Sequence, residues 1–140
     1  MPASERAVEL GLAAAQAAAD KLASDILLLD VSEQLVITDV FLIASAPSER
    51  QVQSIVDEIE ERLREIGVKP VRREGQREAR WVLLDFIDVV VHVQHSEERA
   101  YYALERLWRD CPLIEFVDAA APVGASGDAG STGEAVESDR

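Results

Sequence analysis

The chain has little with which to build a cross-linked or membrane-spanning protein. Cys111 is the single cysteine among 140 residues, so no internal disulfide can form and a reducing, cytoplasmic setting is expected. No apolar run approaches the roughly 20 residues that span a bilayer. The opening "MPASERAVEL" has no basic stretch followed by an apolar core, so neither export nor membrane association is expected. Positive charge is scarce too: 14 lysines and arginines face 27 aspartates and glutamates, for a formal net charge of −13. Nucleic acid rewards a positive surface, so autonomous binding to it is disfavoured, whereas a basic protein would be attracted. One local exception is "RREGQREAR", Arg72 to Arg80. Its four arginines make a positive patch, read either as a solvated loop or as a contact with a phosphate backbone or an acidic partner.

Signatures of chemistry are equally sparse. There is no G-x-S-x-G elbow for a nucleophilic serine. "ASAPSER", Ala44 to Arg50, lies between a strand and a helix start, where Ser45 and Ser48 could face an anion, but it lacks the glycines that let a backbone wrap a phosphate. His92 and His95 are three apart, which on a strand puts them on opposite faces rather than around one metal. Cys111 precedes a proline and has no basic activator nearby except Arg109, so it reads as a structural thiol.

What is present is a core. A hydrophobic content of 48% with 29% charged residues fits one globular domain, over residues 1–118. From Ala119 to Arg140 the chain is Ala, Gly, Ser and acid, and this tail is expected to be disordered. Periodicity predicts an α/β fold of about three helices and four or five strands. The first helix follows Ser4 and runs to about Ser24, with Val8, Leu12, Ala15, Ala19 and Leu22 on one narrow stripe. "DILLLDVS" (Asp25 to Ser32) and "LVITDVFLIAS" (Leu35 to Ser45) read as strands. The second helix has a capping box at Ser48 and Gln51, a face of Val52, Ile55, Val56, Ile59, Leu63 and Ile66, and a stop at Gly67. A short strand near Val71 follows. The third helix is capped by Ser96, carries Ala100, Ala103, Leu104 and Leu107 on one side, and ends near Arg109. "PLIEFV" reads as a last short strand.

The stretch "WVLLDFIDVVVHVQH", Trp81 to His95, is the most informative. Carboxylates are costly to bury in an apolar run. The run is also too long for one strand, so two strands meeting at Phe86 and Ile87 are expected. Asp85 and Asp88 then flank the reversal, where an aspartate can accept backbone N–H bonds. Phe86-Ile87 is poor turn chemistry. Two carboxylates brought close would repel and would be offset by a divalent metal or by a partner's arginine or lysine. Trp81, following the Arg-rich loop, is either a half-exposed binding anchor or a core residue.

Five segments in order, "DILLLDVS", "ITDVFLIASAPSERQVQSIVDEIEE", "EG", "WVLLDFIDVVVHV" and "ERAYYALERLW", resemble the ribosomal silencing factor (Iojap-like) family, from about Ala7 to Cys111. The resemblance implies a mixed sheet of nucleotidyltransferase-like fold without catalytic motif, no cofactor and no metal. It implies a non-enzymatic translational repressor that docks on a basic ribosomal protein at the intersubunit face of the large ribosomal subunit. There it would block small-subunit joining and lower protein synthesis under nutrient limitation or in stationary phase. Trp81, Asp85 and Asp88 match the family's W-x-x-x-D-x-x-D pattern near its partner-binding surface, Glu74 and Gly75 its E-G pair, and His92 its V-H-V strand. Leu83 and Phe86, beside Trp81, would add apolar anchoring. Ser45, Arg50 and Gln51 match the strand-to-helix segment. Tyr102, Leu104 and Trp108 match the last helix, taken as packing. Two positions depart: Ile87 and Ala46 stand where the family usually has glycine. A minor rRNA contact by the Arg72–Arg80 loop and a homodimer complete the expectation. The alternatives are a metal-dependent nucleotidyl or phosphoryl transferase using Asp85 and Asp88, and an adaptor for assembly of the large subunit.

Overall fold

The computed structural model describes residues 2–120; the expected tail falls, apart from Ala119 and Ala120, outside them. Ser4 opens the first helix, α1 (Glu5–Asp20), by accepting a hydrogen bond from the Ala7 N–H at 3.0 Å. The helix stops at Lys21, short of the expected Ser24, because the chain turns sharply at Leu22, whose φ is +64°. Its buried face is Ala7, Leu10, Gly11, Ala14, Ala15, Ala17 and Ala18, and only Ala15 belongs to the expected stripe. So many alanines leave the periodicity degenerate, and the larger Val8 and Leu12 pointed to the wrong side. Small residues bring α1 close: a Cβ on Gly11 would lie 3.1 Å from Val40 Cγ1 and 3.2 Å from Leu28 Cδ2.

Five strands follow in a mixed sheet ordered β1-β2-β5-β4-β3. They are β1 (Ser24–Asp30), β2 (Val40–Ala46), β3 (Arg72–Glu74), β4 (Trp81–Asp85) and β5 (Val89–His95). The central pair, β2 with β5, is parallel and the other pairs are antiparallel. β2 begins at Val40, not Leu35, because residues 35–39 form the loop from β1: the Leu35 N–H bonds to Val31 O and the Val31 N–H to Asp39 O. "PLIEFV" supplies one bridge, Leu29 to Leu113, and not a strand. The Asp30 N–H bonds to Pro112 O and the Ile114 N–H to Leu28 O, which lays this segment along the outer edge of β1.

The second helix, α2 (Glu49–Glu65), packs beside α1 on one face of the sheet. Ser48 caps it, accepting from the Gln51 N–H at 3.2 Å, but the capping box is half-formed: the Gln51 amide donates to Lys21 O and Leu22 O, tying the end of α1 to the start of α2. Beneath the two helices Val82, Leu84, Phe86, Val91 and Val93 join the main core. The third helix breaks in two. α3 (Ser96–Tyr102) and α4 (Leu104–Leu107) meet at Ala103, whose φ is +48°. His95, not Ser96, is the N-cap of α3, with Nδ1 accepting from the Glu97 N–H at 3.1 Å. The break leaves Leu104 buried and turns Ala100 and Leu107 to the outside, against the expected one-sided pattern. α3 and α4 cover part of the opposite sheet face, with Leu104 and Trp108 over Phe41 and Ile43 and Tyr102 over Trp81.

Candidate partner-binding face

Alternation along β4 sorts the side chains. Val82 and Leu84 enter the core, while Trp81, Leu83 and Asp85 turn to the face opposite α1 and α2, half-buried. Directly paired residues share a face, so the register extends this surface in rows: Glu74 beside Leu83 and His92, then Arg72 beside Asp85 and Val90. Arg73 between them faces the other way and pairs with Glu60 of α2 at 2.8 Å. Trp81, Leu83 and Val90 make the apolar part, with Glu74 and Asp85 as its carboxylates.

Asp85 ends β4 and turns the chain. Its Oδ1 accepts the Ile87 N–H at 2.8 Å, the aspartate-capped reversal expected from the sequence. Ile87 adopts φ +75°, a left-handed conformation that suits glycine and strains a β-branched residue. Asp88 follows in the turn, its carbonyl accepting from the Asp39 and Val40 N–H groups, and so fixes the turn against the β1–β2 loop. Phe86 does not belong to this surface: it is 3% exposed, inside the core with Val82 and Leu84. The period of two that carries Trp81, Leu83 and Asp85 outward carries Phe86 inward, a signal present in the sequence.

Trp81 is held by aromatic neighbours. Its Nε1–H donates to His92 Nδ1 at 3.2 Å, and its ring lies 4.8 Å from that of Tyr102. Phe41 stacks edge-on to both His92 and Trp108, at 5.0 and 5.2 Å. Tyr102 therefore supports Trp81 while remaining half-exposed, and with the more exposed Tyr101 it extends the apolar surface onto α3. Burial pushes the His92 imidazole down to about 4. Because Nδ1 accepts from Trp81, the neutral ring carries its proton on Nε2, an atom without a partner among the described residues. Gly75 sets the backbone beside Trp81: at φ +85°, a Cβ would lie 2.1 Å from the Trp81 carbonyl oxygen.

The positive patch expected at Arg72 to Arg80 is largely neutralised. Arg72 lies 3.4 Å from Glu74 and 4.0 Å from Asp85, Arg73 pairs with Glu60, and Arg80 reaches Glu49, Glu97 and Glu98 at 3.0, 2.8 and 2.6 Å. These partners, Glu97 foremost, hold the Arg80 guanidinium more firmly protonated than usual. Among the described residues one group, His95 with Glu97 and Glu98, brings three possible metal-ligating side chains together, and the Arg80 charge already sits against both carboxylates. Asp85 and Asp88 join no such group among the described residues.

Fold and surface define an α/β protein with one sheet face sealed by two helices and the other left partly open, apolar and rimmed by acid. The family model described as "Ribosomal silencing factor during starvation" matches residues 4–139, and the chain belongs to that family. It is 50% identical over 102 residues to the ribosomal silencing factor of Bacillus subtilis, covering 73% of this chain and 86% of the relative. A crystal structure of a protein from Bacillus halodurans superposes with a TM-score of 0.68 at 42% identity, covering 81% of this chain and 100% of the other. A more distant relative, 30% identical over 106 residues (74% of this chain and 45% of the relative), is the mouse protein named "Mitochondrial assembly of ribosomal large subunit protein 1".

Proposed function

We propose that the chain represses translation by binding the large ribosomal subunit, with the open face of β3–β4–β5 seated on a basic protein of the intersubunit surface. The observation that carries this is the pairing of an accessible apolar strip, Trp81, Leu83 and Val90, with Glu74 and Asp85, in a chain of net charge −13. Interfaces of this kind anchor on an aromatic residue and use surrounding charge to orient the partner. Asp88 lies in the adjoining turn and completes the acidic rim. Phe86 has no part in it. The repression is steric: a body with a radius of gyration of about 14 Å held at a joint between subunits prevents its closure. The role needs no cofactor and no chemistry. The Arg72–Arg80 loop contributes at most Arg77 to rRNA, since its other arginines have acidic partners.

The test is co-sedimentation of the purified chain with isolated large and small subunits, followed by a subunit-joining assay. Binding to the large subunit alone, with joining inhibited, is the expected result. Trp81→Ala should weaken binding by about thirtyfold, on the order of 2 kcal/mol. Glu74→Lys, at an exposed position that leaves the core intact, should weaken it as well. Folded variants that bind like the parent would remove this face from the interface. The name of the mouse relative favours a second reading, that the same surface acts during large-subunit maturation. Accumulation of immature large subunits on depletion of the protein, with unchanged joining of mature ones, would select it.

A further inference from the structure

The central parallel strands end in a crevice that the docking face does not use. β2 leads into α2 on the sealed side of the sheet, and its parallel neighbour β5 leads into α3 on the open side. The chain thus leaves adjacent carboxyl ends in opposite directions, the arrangement that opens a ligand crevice in α/β sheets. Arg80 braces the divergence, reaching Glu49 at the start of α2 and Glu97 and Glu98 at the start of α3.

On the open side a cleft of about 570 Å³ lies there, within the range of small-molecule sites. Ser96 and Arg99 line it as donors and Asp25 and Glu105 as acceptors, while Ser45 between them gives its hydroxyl proton to Ser24 O at 3.2 Å. Arg99 is buried. Its Nε donates to Glu105 Oε1 at 3.1 Å and its Nη1 to Ser45 Oγ at 3.3 Å, and Nη2 makes no hydrogen bond among the described residues. Beside Ser45 in the same cross-strand row stands Gln94, 0% exposed, with neither its Oε1 nor its Nε2 partnered among the described residues. A buried amide with both ends empty is costly and calls for a reason. Here a polar layer underlies a cleft whose walls carry opposite charges.

We propose that this cleft binds a small zwitterion bearing a carboxylate and an ammonium group, of which a free amino acid is the simplest case. The carboxylate fits the unused side of Arg99 and the Ser96 hydroxyl, and the ammonium group fits Asp25 and Glu105. A nucleoside polyphosphate fits poorly, because its added negative charge would meet those two acids in a protein of net charge −13. The site adjoins the docking face: Gln94 is the cross-strand partner of Trp81, and α3 carries Tyr102 against the Trp81 ring. Occupancy is therefore readable in tryptophan fluorescence.

The experiment titrates the full chain with each common L-amino acid, following fluorescence and heat, and then with the N-acetyl and amide forms of the best binder. Inorganic phosphate and ATP are titrated in parallel. The expected result is saturation by a subset of amino acids, loss of binding with either capped form, and weakening by about tenfold in Asp25→Asn, the value of one charged hydrogen bond. Asp25 is exposed, so that variant keeps the fold, and Arg99→Lys, checked by circular dichroism, adds the carboxylate arm. No saturable signal with any amino acid overturns the proposal. So does equal binding of the capped forms, or saturation by phosphate or ATP alone. The titration uses no ribosome, so its failure leaves the docking reading untouched, and the converse holds.

Discussion

At the scale of single residues, backbone conformation yields the sharpest expectations. Ile87 holds φ +75° with its side chain largely in solvent, so it bears left-handed strain without packing in return. Ile87→Gly should stabilise the fold by about 1 kcal/mol, net of the extra freedom glycine gains when unfolded, seen as a higher denaturation midpoint. Gly75→Ala should do the reverse, costing about 2 kcal/mol or more, because the new Cβ meets the Trp81 carbonyl. A loss of tryptophan emission shape together with stability would confirm that Gly75 positions Trp81. His92 titrates near 6.5 when unfolded and about 4 when folded, so the unfolded chain binds the extra proton between those values. The His92 contribution to stability should be constant above pH 6.5, fall by roughly 3 kcal/mol as the pH drops to 4, and level off below, where loss of the paired carboxylates Asp20, Glu49 and Glu97 takes over. Urea titrations of the parent and His92→Asn test this, the variant showing a flatter profile across that window. The sequence announced the reversal that Asp85 caps, and left Trp81 open between a half-exposed position and the core, where the structure shows it half-buried. It did not announce the His92 and Tyr102 that hold Trp81, because cross-strand and helix-to-sheet neighbours depend on strand order, which spacing alone does not encode.

Among the elements, those with large apolar residues in strict register were legible and those built of small or charged ones were not. α2 stands almost where its Val, Ile and Leu face predicts, between Ser48 and Gly67. The alanine-rich α1 gave its presence and its cap but not its buried side. The split of α3 from α4 was hidden because its cause, a left-handed alanine at residue 103, has no local signature. Nor did the sequence show that residues 112–118 serve as an edge cover. That segment bonds to β1 at Asp30 and Leu28, and Asp118 accepts from the Gln16 amide of α1 at 2.7 Å. A chain truncated after Cys111 should melt lower and self-associate, because an uncovered strand edge invites pairing. Light scattering of parent and truncated chains decides it, and a truncated chain that stays monomeric would show that β1 is protected by other means.

For the molecule as a whole, charge governs how it meets a partner. With a net charge of −13, association with a basic surface should be fast at low ionic strength and slow markedly as salt rises. The salt sensitivity should diminish in Glu74→Lys, and stopped-flow association with large subunits at several salt concentrations measures both effects. The sheet order carries a separate consequence, for the birth of the protein. β2 must wait for β5 as its parallel neighbour, Val40 aligning with Val89, while α2, β3 and β4 are made in between. A nascent chain released as far as α2 has two amphipathic helices and two of the five strands, with Val91 and Val93 still missing from beneath them. Such distant pairings form late, so the emerging chain gains its core nearly at once when β5 appears, and until then its helices present bare apolar faces to any chaperone waiting at the tunnel mouth.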